Sequence, residues 1–156
     1  MKKIQIEKGY KYVYDYAGNG NLLDVKFYKR KFLGLVNEFQ GRYEFIYQDD
    51  KLISQRNTFK DIGLTEATAY MYENDKLTRK EYYNSAMALR YYIDITYNEK
   101  NEPVKMEIHQ FTGRELGVTN NTDFIKQYLD KQGKQIDFLN DMLDMANKIK
   151  NDLNKS

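Results

Sequence analysis

Hydrophobic and polar residues alternate along most of the first 113 positions, and the alternation restarts several times. The clearest unit is Thr68 to Tyr83, where two tyrosine-bearing segments flank the polar tetrapeptide Glu-Asn-Asp-Lys. β-forming residues that alternate on both sides of turn-forming Asn and Asp are typical of a β-hairpin. Arg42 to Phe59 repeats this unit, with Tyr47 in the position that Tyr72 occupies. The pattern therefore predicts equivalent hairpins that follow one another along the chain.

Two looser copies of the unit extend the pattern in both directions. Tyr10 to Tyr28 contains the turn-forming run Ala-Gly-Asn-Gly-Asn, and Arg90 to Phe111 contains Asn-Glu-Lys-Asn-Glu-Pro. Lys2 to Glu7 also alternates and predicts a short first strand. Residues 28–41 are the least regular part and fit a strand, a helical turn or a surface loop. Four successive hairpins predict an antiparallel meander of about eight strands.

The alternation also divides the tyrosines between two faces of the predicted sheet. Antiparallel sheets commonly bury one face and leave the other in contact with water. The tyrosines expected to build the core are Tyr12, Tyr14, Tyr43, Tyr47, Tyr70, Tyr72, Tyr91 and Tyr97. Tyr28, Tyr82 and Tyr92 are predicted on the opposite face. An aromatic patch on the surface of a small protein is typical of a partner interface.

The period changes after Thr112 and Gly113, and residues 120–154 predict one long C-terminal helix. Asn121 or Thr122 is the expected N-cap. Apolar residues then recur at the alternating three- and four-residue spacing of a heptad seam, on a stripe broad enough to pack against a sheet. Four apolar residues cannot all lie on that stripe and are expected to contact a partner or a second copy of the chain: Phe138, Met142, Met145 and Ile149.

These elements indicate an α+β fold in a single domain, residues 1–156. Its parts are a β-hairpin meander, residues 1–113, and the C-terminal helix, residues 120–154. The helix is expected either to lie on the apolar face of the sheet or to project from it. A closed up-and-down β-barrel with the helix outside is the alternative.

Composition limits the chemistry of any site. The formal net charge of +2 is the small difference between 25 basic and 23 acidic residues, so charge alone does not indicate a nucleic-acid-binding protein. Without cysteine, the chain has no disulfide, thiolate metal ligand or cysteine nucleophile. His109, the single histidine, is expected on the solvent face, where it has too few neighbouring ligands for a metal. We predict no catalytic constellation, no cofactor and no metal site.

Positive charge is concentrated in one cluster, the basic patch, which comprises Lys26, Lys29, Arg30, Lys31 and Arg42. Phe27, Tyr28 and Phe32 lie among these residues in the sequence. Basic and aromatic side chains in combination can bind single-stranded nucleic acid. Because the chain has 15 tyrosines, such a combination also arises by coincidence, and nucleic acid ranks third among the expected partners.

The first hairpin has a further likeness. Its segment Tyr-Val-Tyr-Asp-Tyr-Ala-Gly, residues 12–18, resembles the Tyr-Asp hairpin repeats of RHS-type proteins, whose pattern is Tyr-x-Tyr-Asp-x-x-Gly followed by a Leu. The other copies lack the glycine and replace the Tyr-Asp pair. The resemblance implies a hairpin-repeat geometry.

The missing catalytic constellation indicates a non-catalytic protein that binds a protein partner or assembles with itself through the C-terminal helix and the outer tyrosines. Phage-encoded structural or host-defence-modulating proteins and toxin-immunity proteins are classes of this kind. A small ligand held inside a tyrosine-lined barrel is the second expectation. The chain has no apolar run of membrane-span length, so we expect no membrane partner and a location in the cytoplasm or in a phage particle.

Overall fold

The computed structural model describes residues 1–61, 63–132 and 146–151. Within them lie ten strands and one helix, followed by a C-terminal helical segment at residues 146–151. The strands are β1 (Lys2–Glu7), β2 (Tyr10–Tyr16), β3 (Leu22–Lys31), β4 (Val36–Gln48), β5 (Lys51–Phe59), β6 (Gly63–Glu73), β7 (Lys76–Asn84), β8 (Leu89–Tyr97), β9 (Pro103–Gln110) and β10 (Glu115–Thr119). The helix, α1, spans Thr122–Asp130.

The ten strands form one antiparallel sheet in which each strand pairs with its neighbours in sequence. The predicted meander is therefore confirmed, whereas the predicted number of about eight strands is too small. The predicted first strand, Lys2 to Glu7, is confirmed as β1 before the four hairpins, and β10, which follows them, is the strand that the sequence did not predict. In the described part of the chain β1 and β10 are the two edges and do not pair with each other, so the barrel alternative is wrong.

The long C-terminal helix is also wrong, because α1 ends at Asp130. Its start is as predicted: the Asn121 side chain accepts a hydrogen bond from the Phe124 amide at 3.1 Å. At its end, the Tyr128 carbonyl accepts bonds from the Lys131 amide at 3.3 Å and from the Gln132 side-chain amide at 3.0 Å. These bonds occupy the carbonyl that would otherwise continue the helix, so the last turn closes instead of propagating.

One face of the sheet, here the inner face, carries the core and α1. All eight tyrosines predicted to face the core lie in it or pack against it. Three of them repeat a single contact from hairpin to hairpin. The hydroxyl of Tyr47 donates to the Leu22 carbonyl at 2.9 Å, and that of Tyr72 donates to the Leu52 carbonyl at 2.7 Å. Tyr97 completes the series with a bond to the Leu77 carbonyl at 2.8 Å.

Each of these hairpins also contains one bulge, at which the pairing register shifts by one residue. In the hairpin of β6 and β7 the shift lies opposite Met71 and Tyr72, which leaves Thr78 as the extra residue. A bulge inverts the alternation for the rest of the strand, since two residues then face one. The strand therefore places Leu77 and Lys80 on the same face, although their spacing in the sequence is odd.

Candidate protein-binding surface

The hairpin of β3 and β4 extends beyond its neighbouring strands. Pairing of β3 with β2 stops at Lys29, and pairing of β4 with β5 stops at Gly41, but β3 and β4 remain paired up to Lys31 and Val36. Two backbone hydrogen bonds close the turn. The Gly34 amide donates to the Lys31 carbonyl at 3.2 Å, and the Leu35 amide donates to the Phe32 carbonyl at 3.1 Å. The tip is thus a hydrogen-bonded turn that projects from the sheet.

This tip is apolar. Phe32, Leu33 and Leu35 are 72%, 104% and 86% exposed, and Val36 is exposed as well. Phe32 and Leu33 both have positive φ, which places the two side chains on the outside of the turn at a conformational cost. A contiguous exposed apolar patch on a protein surface usually marks a site of interaction. We refer to these four residues as the apolar tip.

Behind the tip, a row of side chains crosses four strands on the outer face. Cross-strand pairing aligns Ile6, Lys11, Tyr28 and Phe39. The rings of Tyr28 and Phe39 meet edge to face with their centroids 5.7 Å apart, and Lys11 Nζ lies 5.9 Å from the centre of the Tyr28 ring. Ile6 and Phe39 are exposed. This outer row and the apolar tip together form the candidate surface, which we call the hairpin surface.

The basic patch borders the hairpin surface but is partly neutralised. Arg42 Nη2 lies 2.9 Å from Asp24 Oδ2, and Lys31 pairs with Glu38. Lys60 is the second partner of the Glu38 carboxylate, with Lys60 Nζ 3.0 Å from Glu38 Oε1. Hydrogen bonds from both lysines lower the pKa of Glu38 to about 2, so it remains ionised.

Arg30 belongs to the tip itself. Its guanidinium packs over Gly34, where an added Cβ would collide with it. Gly34 also has a φ of 87°, which only glycine adopts without strain. Gly34 therefore allows the turn. Because it has no side chain, it also leaves room for the Arg30 guanidinium beside the exposed apolar side chains.

Of the three tyrosines predicted on the outer face, Tyr28 and Tyr92 lie there and Tyr82 does not. Tyr92 stacks on His109 at 5.0 Å with an interplanar angle of 18°, and the Arg79 guanidinium carbon lies 4.5 Å from the centre of its ring. Tyr82 is 3% exposed within the core. The bulge at Thr78 explains the difference, because it shifts all later residues of β7 to the opposite face.

Of the four predicted contact residues of the C-terminal helix, the described part of the chain contains Ile149, and this residue is buried. Ile149 is 1% exposed and belongs to the core, and the neighbouring Ala146 lies against β10, where a Cβ on Gly117 would be 3.4 Å from the Ala146 carbonyl oxygen. Gly117 thus permits close approach of the C-terminal helical segment to the sheet. The remaining candidates, Phe138, Met142 and Met145, lie outside the described residues.

His109 lies on the outer face as predicted, although its side chain is largely covered. Its Nδ1 is 3.2 Å from the Gly113 carbonyl oxygen, and its Nε2 is 3.7 Å from Glu107 Oε1. Among the described residues, no group of three or more His, Asp or Glu side chains is arranged to hold a metal ion. The helices in this part of the chain include none that is long and apolar enough to cross a membrane.

A concave region lies between α1 and the hairpin ends on the inner face. It is a cleft of about 480 Å³. Tyr72, Tyr97, Leu77 and Leu129 contribute its apolar lining, with Lys76 above the Tyr97 ring at 5.5 Å. Burial raises the pKa of both tyrosines, so both hydroxyls remain protonated hydrogen-bond donors at neutral pH.

The apolar tip was missed by the sequence argument, which left residues 28–41 undecided between strand, turn and loop. Its sequence signal is the run Phe-Leu-Gly-Leu-Val directly after Lys-Arg-Lys. Such a run equally suits a buried strand. Only the pairing register shows that the run lies beyond the ends of both neighbouring strands.

Comparison with known proteins adds no assignment. No protein-family model matches the chain. No curated protein matches it either. The resemblance to RHS-type repeats therefore stays a prediction.

Three solved structures are similar to part of this chain. A porin-like protein from Bacteroides uniformis is 13% identical over 75% of this chain and 47% of its own, with a TM-score of 0.45. TarM from S. aureus is 13% identical over 78% of this chain and 20% of its own, with a TM-score of 0.25. A DUF3836 family protein from Parabacteroides distasonis is 17% identical over 77% of this chain and 99% of its own, with a TM-score of 0.27. At these TM-scores the likenesses carry no argument about function.

Proposed function

We propose that the protein is a non-catalytic binding protein that docks a protein partner through the hairpin surface. The observation that supports this proposal is the exposure of Phe32, Leu33 and Leu35 on a hydrogen-bonded, projecting turn. Burying such a side chain contributes roughly 1.5 to 3 kcal/mol, so three on one turn favour association strongly. The contact surface therefore differs from the C-terminal helix that the sequence suggested.

The chemistry around the tip narrows the kind of partner. The Arg30 guanidinium lies beside the apolar residues, and an aromatic row lies behind them. Interfaces are enriched in aromatic residues and Arg, and charge complementarity fixes their orientation. A matching partner presents an apolar pocket bordered by carboxylates. We propose that the protein is of the phage-encoded structural, host-defence-modulating or toxin-immunity type, with a location in the cytoplasm or in a phage particle.

Site-specific photo-crosslinking in the native cell tests the proposal. A benzophenone amino acid at Leu33 should give one discrete adduct, whereas the same probe at the exposed Glu99, in a turn at the other end of the sheet, should not. The purified partner should then bind the wild-type chain in a defined stoichiometry. Absence of an adduct specific to position 33 would contradict the proposed surface.

A matched pair of variants separates contact from folding. Phe32→Asn combined with Leu33→Asn removes the apolar side chains, and Asn tolerates the positive φ at both positions. Met87→Asn is the control, because Met87 is also an exposed apolar residue with positive φ in a turn of the same sheet end. We expect the double variant to lose at least about tenfold in affinity, with the control unchanged. If the wild-type chain instead bound anionic vesicles or an oligonucleotide, and not a protein, the proposal of a protein partner would be wrong.

The cleft supports a second candidate function, the binding of a small molecule. Its volume of about 480 Å³ suits a ligand of modest size, and Tyr72 and Tyr97 offer ring surface and hydroxyl oxygens that can still accept a hydrogen bond. Metabolites that co-purify with the chain should then be lost on substitution Leu129→Glu at the cleft wall. Co-purification that survives this change would place the ligand elsewhere.

A further inference from the structure

The edge strand β1 leaves one side of its backbone without a partner strand. In the described part of the sheet β1 pairs with β2 only, and all six of its residues are exposed. An exposed edge of this kind is a template for pairing with another chain. Its lysines oppose most such pairings, so a productive register must place a carboxylate opposite at least one of them.

The hydrogen-bond pattern shows which backbone groups face outward. Met1 and Tyr16 form a hydrogen-bonded pair. Met1 N donates to the Tyr16 carbonyl at 3.0 Å, and the Tyr16 amide donates to the Met1 carbonyl at 2.9 Å. Because bonded and non-bonded pairs alternate along an antiparallel ladder, Lys3, Gln5 and Glu7 also direct their amides toward β2. The backbone amides and carbonyls of Lys2, Ile4 and Ile6 therefore point to the open side.

The side chains divide in a corresponding way. Ile4 and Ile6 lie on the outer face and are 63% and 55% exposed. Lys3, Gln5 and Glu7 lie on the inner face: Lys3 Nζ is 5.5 Å from the centre of the Tyr16 ring, and Gln5 accepts a bond from the Tyr14 hydroxyl. Between two copies related by a twofold axis normal to the sheet, the inner faces coincide, and residues can pair only with residues of the same face.

One register pairs Lys3 with an opposite charge and the isoleucines with each other, while Lys2 faces Lys8 in the turn beyond the end of β1. With Gln5 opposite Gln5 on the twofold axis, Lys3 of each copy lies opposite Glu7 of the other, which gives two oppositely charged pairs. Ile4 of each copy then lies opposite Ile6 of the other, in bonded pairs that supply four backbone hydrogen bonds. Shifting the axis to Ile4 would place Lys3 opposite Gln5 and Lys2 opposite Ile6, without any pair of oppositely charged side chains.

We propose that the chain forms a homodimer in which two β1 strands pair antiparallel in this register and make one continuous sheet. The contact includes Ile6 of the outer row but none of the four residues of the apolar tip, so variants of the tip test the partner-binding function separately. The two copies present their apolar tips at opposite ends of the joined sheet, because the axis reverses the strand direction, while both outer rows lie on the same face. The dimer therefore offers two docking sites for partner proteins.

Charge reversal tests the register directly. Sedimentation velocity over a dilution series of the wild-type chain should show a reversible dimer. Lys3→Glu and Glu7→Lys each convert two attractive pairs into two repulsive ones and should weaken the dimer about tenfold. The double variant restores both pairs and should dimerise like the wild type. An equimolar mixture of the two single variants should form a heterodimer, since one copy then carries only Glu and the other only Lys at these positions.

Hydrogen exchange supplies a second readout. The amides of Ile4 and Ile6 should become protected as the protein concentration rises, whereas those of Lys3 and Gln5 should be protected at every concentration. A wild-type chain that stays monomeric throughout the series would overturn the proposal. So would a dimer that the charge reversals leave intact, or one that is lost only in the Phe32→Asn and Leu33→Asn double variant.

Discussion

Lys80 Nζ lies 2.6 Å from the hydroxyl oxygen of Tyr128 and links the buried centre of β7 to α1. Lys80 is completely buried on the inner face, where burial of an ammonium group is costly unless it is well partnered. Three rings surround the ammonium group: those of Tyr70, Tyr82 and Tyr128, with centroids 5.1, 5.5 and 4.9 Å away. The ring faces and the hydroxyl together offset part of that cost.

This contact predicts energetic coupling between strand and helix. Tyr128→Phe deletes a hydroxyl that bonds a buried charge and should lower the free energy of unfolding by about 1 to 3 kcal/mol. In a Lys80→Met background the hydroxyl no longer serves a cation, so the same change should cost much less. Urea unfolding of the four proteins in this double-mutant cycle measures the coupling. Additive costs would show that the two side chains act independently.

The repeated tyrosine contacts predict a graded series of losses. Tyr97→Phe removes only the bond to the Leu77 carbonyl and should cost about 1 kcal/mol. Tyr97→Ala also empties a core position and should cost about 3 kcal/mol or more. Tyr92→Ala, on the outer face, should cost far less. Equal losses for the alanine variants of Tyr92 and Tyr97 in chemical denaturation would contradict the division into inner and outer face.

The same tyrosines predict a loss of stability in alkali. Burial raises the folded-state pKa values of Tyr47, Tyr72 and Tyr97 above the ordinary value of 10.0. Below pH 10 these groups are protonated in both the folded and the unfolded state, and their contribution is fully present. As the pH rises toward the raised values, the unfolded chain ionises first, and stability falls. The decline in urea midpoint above pH 10 should be shallower in Tyr97→Phe than in the wild type.

The basic patch predicts weak binding of single-stranded nucleic acid. Arg42 and Lys31 are engaged with Asp24 and Glu38, which leaves fewer cations to neutralise phosphates. Fluorescence anisotropy with a labelled oligonucleotide should therefore show only weak binding at physiological salt, with a steep further loss as salt increases. Submicromolar affinity at physiological salt would favour nucleic acid over protein as the partner.

The sequence by itself determined the features that depend on neighbours along the chain. Alternation and turn residues located all four hairpins, and the positive φ values at Asp49, Asp50, Asn74 and Asp75 match the residue types at those turns. The N-cap at Asn121 is equally local, since its side chain bonds an amide three residues away. The inward tyrosines were also predictable, because period-two alternation specifies a face as long as the register is unbroken.

Tertiary structure decided the rest, because it depends on how distant segments meet. A bulge at Thr78 moved Tyr82 from the outer face into the core, and alternation alone does not reveal where such a residue is inserted. The candidate surface followed from strand length. Phe32 and Leu33 are exposed because β3 and β4 extend beyond the ends of β2 and β5. No local pattern encodes the length of a neighbouring strand.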